Sequence, residues 1–401
     1  MTTTDPRTAP VTDQVRTATR ATYAAFIAAG FAFASWAARI PQVRTRLDLD
    51  SSALGLVLLA IAAGSVIALP VSGPLIARFG SRRTVTVMAL LLGVSLLVIA
   101  AGSAGSVPLL VAGLFAMGLS NGAWDVGMNV QGAVVERALR RSIMSRFHAG
   151  FSLGTVAGAL LGAAMVALDV SVAAHLVAVA VVVGCAVPVA VRGFLPDVGT
   201  DDATTESGPG ALAAWREPRT LLVGLFVLAF AFAEGSANDW ISVALIDDHD
   251  TSAAVGTLGF AVFLAAMTAA RWAGPPLLDR YGRVPVVRLL AVLAVTGLVL
   301  FVFGNAPVAF LGALLWGAGA SLGFPVGMSA GADDPARAAS RVSVIASLGY
   351  CAFLGGPPLI GLLGQHVTVV KALLVVAVLL AVATAIAGSL RPPAEASPAE
   401  V

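Results

Sequence analysis

Long apolar stretches separated by short polar turns run from one end of this chain to the other. A helix needs roughly 20 mainly apolar residues to cross about 30 Å of hydrocarbon. On that ruler twelve crossings are predicted, at 20–40, 51–73, 84–102, 107–134, 146–168, 171–192, 219–243, 253–276, 285–304, 307–330, 340–363 and 368–390. The fourth is not uniformly apolar. Gly118 to Glu136, GLSNGAWDVGMNVQGAVVE, places Asn121, Asp125 and Asn129 at i, i+4 and i+8, with Gln131 close by, so a helix stacks the first three on one stripe. An aspartate at the centre of a membrane helix costs on the order of 3 kcal/mol, so this stripe is expected to face protein or a water-filled cavity and never lipid. The fourth crossing is therefore read as one wall of a central pathway.

The polar segments divide the chain. Residues 1–19 are rich in Thr, Asp, Arg and Pro and lack the apolar core and cleavage site of a signal peptide, so they are expected to form a cytoplasmic tail. Residues 193–218 contain Asp197, Gly199, Asp201, Asp202, Glu206, Gly208, Pro209 and Gly210, the composition of a flexible cytoplasmic linker. On either side stand two six-crossing units, 20–192 and 219–390, and a cytoplasmic tail at 391–401 closes the chain. The units echo one another at a spacing near 201: PLIARFG at 74–80 against PLLDRYG at 276–282, DVGMN at 125–129 against PVGMS at 325–329, and LG at 153–154 against LG at 354–355. Three matches at nearly one offset argue for an internal duplication. The expected fold is an all-α membrane protein of twelve transmembrane helices in two pseudo-symmetric six-helix bundles. Parallel halves with a site between them near the midplane are an arrangement through which a transporter alternates its access.

Basic residues in short loops are retained on the cytoplasmic side. With the N-terminus inside, the inner segments hold Arg78, Arg82 and Arg83, then Arg137, Arg140, Arg141 and Arg146, then Arg280, Arg283 and Arg288, then Arg337 and Arg341. The outer loops hold little beyond Arg39, Arg44, Arg46 and Lys371. Both termini are accordingly expected in the cytoplasm, with the chain in the cell membrane. Composition narrows the function classes. Hydrophobic residues at 58% and charged residues at 11% exclude a soluble globular chain. A net charge of +2 gives no reason to expect nucleic acid, and the absence of a Walker-type phosphate loop leaves a proton gradient as the energy source. Cys185 and Cys351 lie far apart in apolar runs, and His148, His175, His249 and His366 are scattered, so neither a metal, a cofactor nor an enzyme's nucleophile and base is expected. The expected partners are a small-molecule substrate and the lipid bilayer, with the chain acting as a monomer.

Twelve crossings, a central loop after the sixth and an arginine-rich turn after the second and eighth resemble the major facilitator superfamily over nearly the whole chain. That family's turn reads Gly-x-x-x-Asp-Arg-x-Gly-Arg-Arg. Here the chain reads Gly73, Arg78, Gly80, Arg82 and Arg83, with Ala77 where the acid is expected, and the second copy has Asp279, Arg280, Gly282 and Arg283, with Gly274 displaced by one. The resemblance implies a cytoplasmic gate at these residues. Within the family, GFAFASWAARIP at 30–41, Asp125 with Asn129, AEGSANDW at 233–240 and GFPVGMS at 323–329 resemble a branch containing fucose-permease-like and rhizopine-transporter-like proteins. In fucose permeases an acid followed four residues later by Asn sits in the sugar and proton pathway, a pattern that Asp125 and Asn129 match. That branch's first-helix acid has no counterpart, since residues 22–38 contain no Asp or Glu.

Candidate substrate-binding residues are Asn121, Trp124, Asp125, Asn129, Glu234, Asn238 and Trp36, with Asp125 and Glu234 as the proton-coupling pair. Intramembrane ionisable groups are functional by default, while pairing between helices is the competing reading for each. Trp36 and Trp124 stack on a sugar ring or pack in the core. Asp239 and Trp240 are expected near the outer surface, the Trp as an interface anchor. Arg39 and Arg271 are expected to snorkel to the interface, and His148 is either a proton shuttle or an incidental polar residue. Glu136 and Arg137 are assigned to the cytoplasmic loop. Gly150, Gly154, Gly158 and Gly162 form an every-fourth-residue ladder that lets another helix approach closely, and Gly355, Gly356, Pro357, Pro358 and Gly361 mark a bend in the eleventh crossing. Two functions stay open: a proton-coupled transporter of a small polar solute such as a sugar or cyclitol, and a proton-antiport exporter of drugs or amphipathic metabolites.

Overall fold

The computed structural model describes residues 13–140, 143–197, 213–334 and 337–392, with helices and short turns and no strand among the described residues. Twelve helices are long and apolar enough to cross a membrane. They are α1 (Asp13–Arg46), α2 (Ser51–Phe79), α3 (Ser81–Gly102), α4 (Val107–Leu139), α5 (Arg146–Ala167) and α6 (Val172–Gly193), then α7 (Pro218–Asp247), α8 (Ala253–Tyr281), α9 (Arg283–Phe303), α10 (Ala306–Gly331), α11 (Ser340–His366) and α12 (Val369–Leu390). Every predicted crossing is present. Several helices overrun the predicted limits, α1 starting at Asp13 and α4 ending at Leu139, because hydropathy measures only the part of a helix inside hydrocarbon. The calls at 1–12, Arg141, 198–212 and 393–401 lie outside the described residues.

The echo between the halves is structural. Both α2 and α8 are 29 residues long and run straight into the next helix through a single glycine. Gly80 and Gly282 sit there at φ +80° and +78°, a region where a Cβ is poorly tolerated. Just before each turn an arginine covers an aromatic ring, Arg78 over Phe79 at 5.3 Å and Arg280 over Tyr281 at 5.1 Å. The halves diverge in the helix that follows the next one. Whereas α4 is continuous for 33 residues, α10 breaks between Ala320 and Gly323, leaving carbonyl groups free at membrane depth.

In the first bundle α1 packs on α5 and α2 on α4; in the second α7 packs on α11 and α9 on α10. Across the two, α2 meets α11 and α5 meets α8. The glycine ladder of α5 carries the first of these contacts, since a Cβ at Gly154 would strike the Ile27 carbonyl and one at Gly158 the Phe31 carbonyl of α1. Many hydroxyls inside the helices bond to their own backbone, as in Thr22 to Ala18 O at 2.8 Å and Thr268 to Leu264 O at 2.7 Å.

Polar bonds pull the bundles together at one end. Arg44, at the end of α1, pairs with Asp247 at the end of α7, and Gln365 Nε2 donates to Ser52 Oγ at 3.4 Å. At the arginine-rich end the described networks stay within one bundle. Asp197 accepts from the Ser81 backbone and hydroxyl at 2.5 and 2.7 Å, and Glu136 accepts from Ile143 N at 2.7 Å. On the other side Arg219 and Arg283 converge on Asp333 at 2.8 and 2.7 Å, and Arg341 and Arg337 on Glu217 at 2.6 and 3.2 Å.

Two outcomes follow from this packing. Gly154→Ala should cost about 1–3 kcal/mol through overpacking and lower the melting temperature in detergent, whereas Gly184→Ala, with nothing within 4 Å of a new Cβ, should leave it unchanged. The hydrogen bond from Arg341 holds the Glu217 carboxyl below its ordinary value of 4.5. Its contribution is therefore complete above that value and is lost as the pH falls through the lowered one. Melting temperatures across pH 3 to 7 should fall more steeply in the native protein than in Glu217→Gln, which starts lower.

Candidate functional site

The polar groups of the membrane interior gather where the two bundles meet. On α4, Asn129 lies one turn after Asp125, and its Nδ2 donates to the Asp125 carbonyl at 2.8 Å and to Oδ1 at 3.3 Å. That commits the amide, so its Oδ1 faces outward, and His148 Nε2 on α5 approaches it at 3.1 Å. This arrangement requires the imidazole proton on Nε2. The His148 ring is held edge-on against Phe26 of α1, centroids 5.1 Å apart.

The second bundle answers from α7 and α8. Arg271 Nη2 donates to Glu234 Oε2 at 2.8 Å, and its Nε to the Ser321 carbonyl at 3.0 Å. Ser321 is at the break in α10, so the guanidinium satisfies a carbonyl that the interrupted helix has released. Asp125, Asn129 and His148 thus form one polar group in the first bundle and Arg271 and Glu234 another in the second, on helices that include the packed pair α5 and α8. The two acids differ in state. Glu234 has a fixed cation, while the described bonds of Asp125 come only from an amide.

Several expectations change. His148 is no isolated edge residue. Arg271 does not snorkel, and neither does Arg39, which is 2% exposed and donates to His175 Nδ1 and the Val170 carbonyl, each at 2.9 Å. Trp36 and Trp124 are 2% and 0% exposed with unpaired indole N–H groups, so in this conformation they pack and offer no face to a solute. Trp240 is likewise buried at 0% and is not an interface anchor. Asn121 is half-buried on the Asp125 stripe, and Asn238 has its Oδ1 buried without a partner. Gln131 turns away from the stripe to Ser81 and Leu195. Among the gate residues Gly73 has open space around it, Asp279 is exposed, and Arg283 is taken by Asp333 and Ser329. Phe26 was missed because nothing in its own sequence surroundings distinguishes it from core aromatics.

Two six-helix bundles with polar side chains on the helices that meet between them are an arrangement found in secondary transporters. The sequence profile described as Major Facilitator Superfamily matches residues 21–355. The chain belongs to this superfamily, and its relatives are transporters, not enzymes. An uncharacterised transporter of Sinorhizobium fredii is 32% identical over 87% of this chain and 92% of its own length. An uncharacterised transporter of this type from Yersinia pestis is 30% identical over 85% of this chain and 87% of its own, and the membrane protein MosC of Rhizobium meliloti 28% over 87% and 84%. Among solved structures, a mutant of the nucleoside transporter NupG superposes with a TM-score of 0.78 at 12% identity, covering 94% of this chain and all of the other. The E. coli fucose:proton symporter FucP does so at 0.59 and 15%, covering 92% of this chain and 98% of its own. These two likenesses establish the fold.

Removing one partner of a fully buried ion pair costs about 3–5 kcal/mol. Arg271 and Glu234 keep 25% and 21% of their side-chain surface exposed, so a smaller loss is expected here. Arg271→Ala should lower the melting temperature more than the double change Arg271→Ala with Glu234→Ala, measured by scanning fluorimetry in detergent. Equal losses would remove the pair as a stabilising unit.

Proposed function

We propose that this protein is a secondary active transporter that carries a small polar solute, of the sugar or cyclitol class, across the cytoplasmic membrane with both termini in the cytoplasm. Movement is by alternating access and is coupled to protons through Asp125 and Glu234. The observation that carries this reading is the asymmetry of the two acids at the bundle interface. Asp125 has no fixed cation, so gaining or losing a proton there changes the net charge of the site. Glu234 is already neutralised by Arg271, so protonating it, or offering Arg271 a competing hydroxyl, releases a contact within the second bundle. Amide, imidazole and guanidinium groups supply the mixed donors and acceptors that a polyhydroxylated solute needs. The rival exporter of amphipathic compounds calls for a largely apolar cavity, which this cluster does not favour.

The Arg44 to Asp247 pair and the Gln365 to Ser52 bond close the outer end in this orientation, leaving the site to be reached from the cytoplasm. A solute that prefers this state raises the melting point, so a thermal-shift screen over sugars, cyclitols, amino acids and drugs identifies the class. In proteoliposomes with the solute so found, Asp125→Asn should abolish uptake driven by a pH gradient while the protein stays folded. Glu234→Gln should weaken the solute's thermal shift. Undiminished gradient-driven uptake in Asp125→Asn would remove Asp125 from the coupling step, and stabilisation by drugs alone would replace the solute class.

A further inference from the structure

The first bundle carries a cleft on its outer face, at the arginine-rich end of α3 and α6, that the transport reading does not use. It encloses about 700 Å³ between the end of α2, the start of α3 and the end of α6. Phe79, Val87 and Pro188 supply apolar wall, and Arg82, Arg83 and Arg192 line the same space. Phe79 and Val87 are 45% and 55% exposed, which in a chain that crosses the bilayer turns them towards acyl chains. The three guanidinium groups are exposed, and among the described residues no carboxylate pairs with any of them. Asp197, the acid bonded next door, is committed to Ser81.

The second half provides an internal contrast. After its own glycine turn, Arg283 is bound by Asp333 and Ser329, and Arg288 donates to the Thr384 carbonyl at 3.3 Å. The protein supplies acceptors for those cations and withholds them from the first-half trio. Three arginines without a carboxylate partner among the described residues, around an apolar slot at the helix ends, match one ligand chemistry, a phosphate diester carrying acyl chains.

We propose that this cleft holds one anionic phospholipid, its phosphate among Arg82, Arg83 and Arg192 and the start of an acyl chain along Phe79, Val87 and Pro188. The site is separate from the solute cluster and does not depend on which solute is carried. It also gives the turn after α2, which lacks its family acid at Ala77, a ligand of opposite charge from the membrane.

The test is lipid binding to the full chain in detergent, counted by native mass spectrometry with phosphatidylglycerol and phosphatidylcholine of identical chains. The native protein should take up phosphatidylglycerol first, saturating at one tightly held copy. Arg82→Gln with Arg83→Gln and Arg192→Gln should weaken that copy on the order of a hundredfold, three charges being removed, while the triple change to Lys should retain it. Excess glycerol phosphate should not displace the lipid, because the headgroup alone lacks the acyl contact. Val87→Trp fills the apolar wall with the arginines in place, and it should reduce retention without changing the helical circular dichroism. Equal affinity for the two lipids, an unaltered preference in the Gln triple, unaltered retention in Val87→Trp, or displacement by glycerol phosphate would each overturn the proposal.

Discussion

Inside hydrocarbon every backbone polar group has to find its partner within the protein, and this constraint explains most of the structure. It makes each crossing a helix, and it makes any departure from helix a place that needs compensation. The break in α10 is the clearest case. Ser321 exposes a carbonyl there, and Arg271 supplies the donor. The same guanidinium binds Glu234, so one side chain ties the irregular helix to α7. A cation is thereby fixed at the contact between the bundles as a by-product of satisfying the backbone. The chemistry of the site and the repair of the helix are one arrangement.

The two halves show what duplication preserves and what it leaves free. The turn after α2 and that after α8 keep the same glycine conformation and the same arginine over an aromatic ring, because both must reverse the chain within one residue. The acids around them are not kept. In the second half Asp333 and Glu217 each gather two arginines. In the first half Asp197, from the chain beyond α6, holds the start of α3 through Ser81. Closure at the opposite end rests on an ion pair, a side-chain hydrogen bond and the contact of α2 with α11.

Much of this was legible along the chain. Twelve crossings and the duplication came from apolar run length and from repeated short words, since membrane depth fixes helix length and duplication fixes spacing, and the superfamily came from the resemblance of the turns after the second and eighth crossings. The stripe of Asn121, Asp125 and Asn129 was legible for the same reason, being a property of one helix and its pitch. Arg39 and Trp240 were placed too near the surface, and the choice between stacking and packing for Trp36 and Trp124 stayed open, because burial depends on what a neighbouring helix places beside a side chain.

Taken alone, the amino-acid order determined the elements, their number and the one apolar helix that could not face lipid, since each of these is set by local periodicity and by the cost of placing charge in hydrocarbon. Only the tertiary structure decided the partners. It set His148 against Asn129 and Arg271 against Glu234 and the broken end of α10, and among the described residues it left Arg82, Arg83 and Arg192 without an acid partner. Those pairings join residues tens of positions apart on different helices, and a hydrogen bond depends on where those helices finally lie.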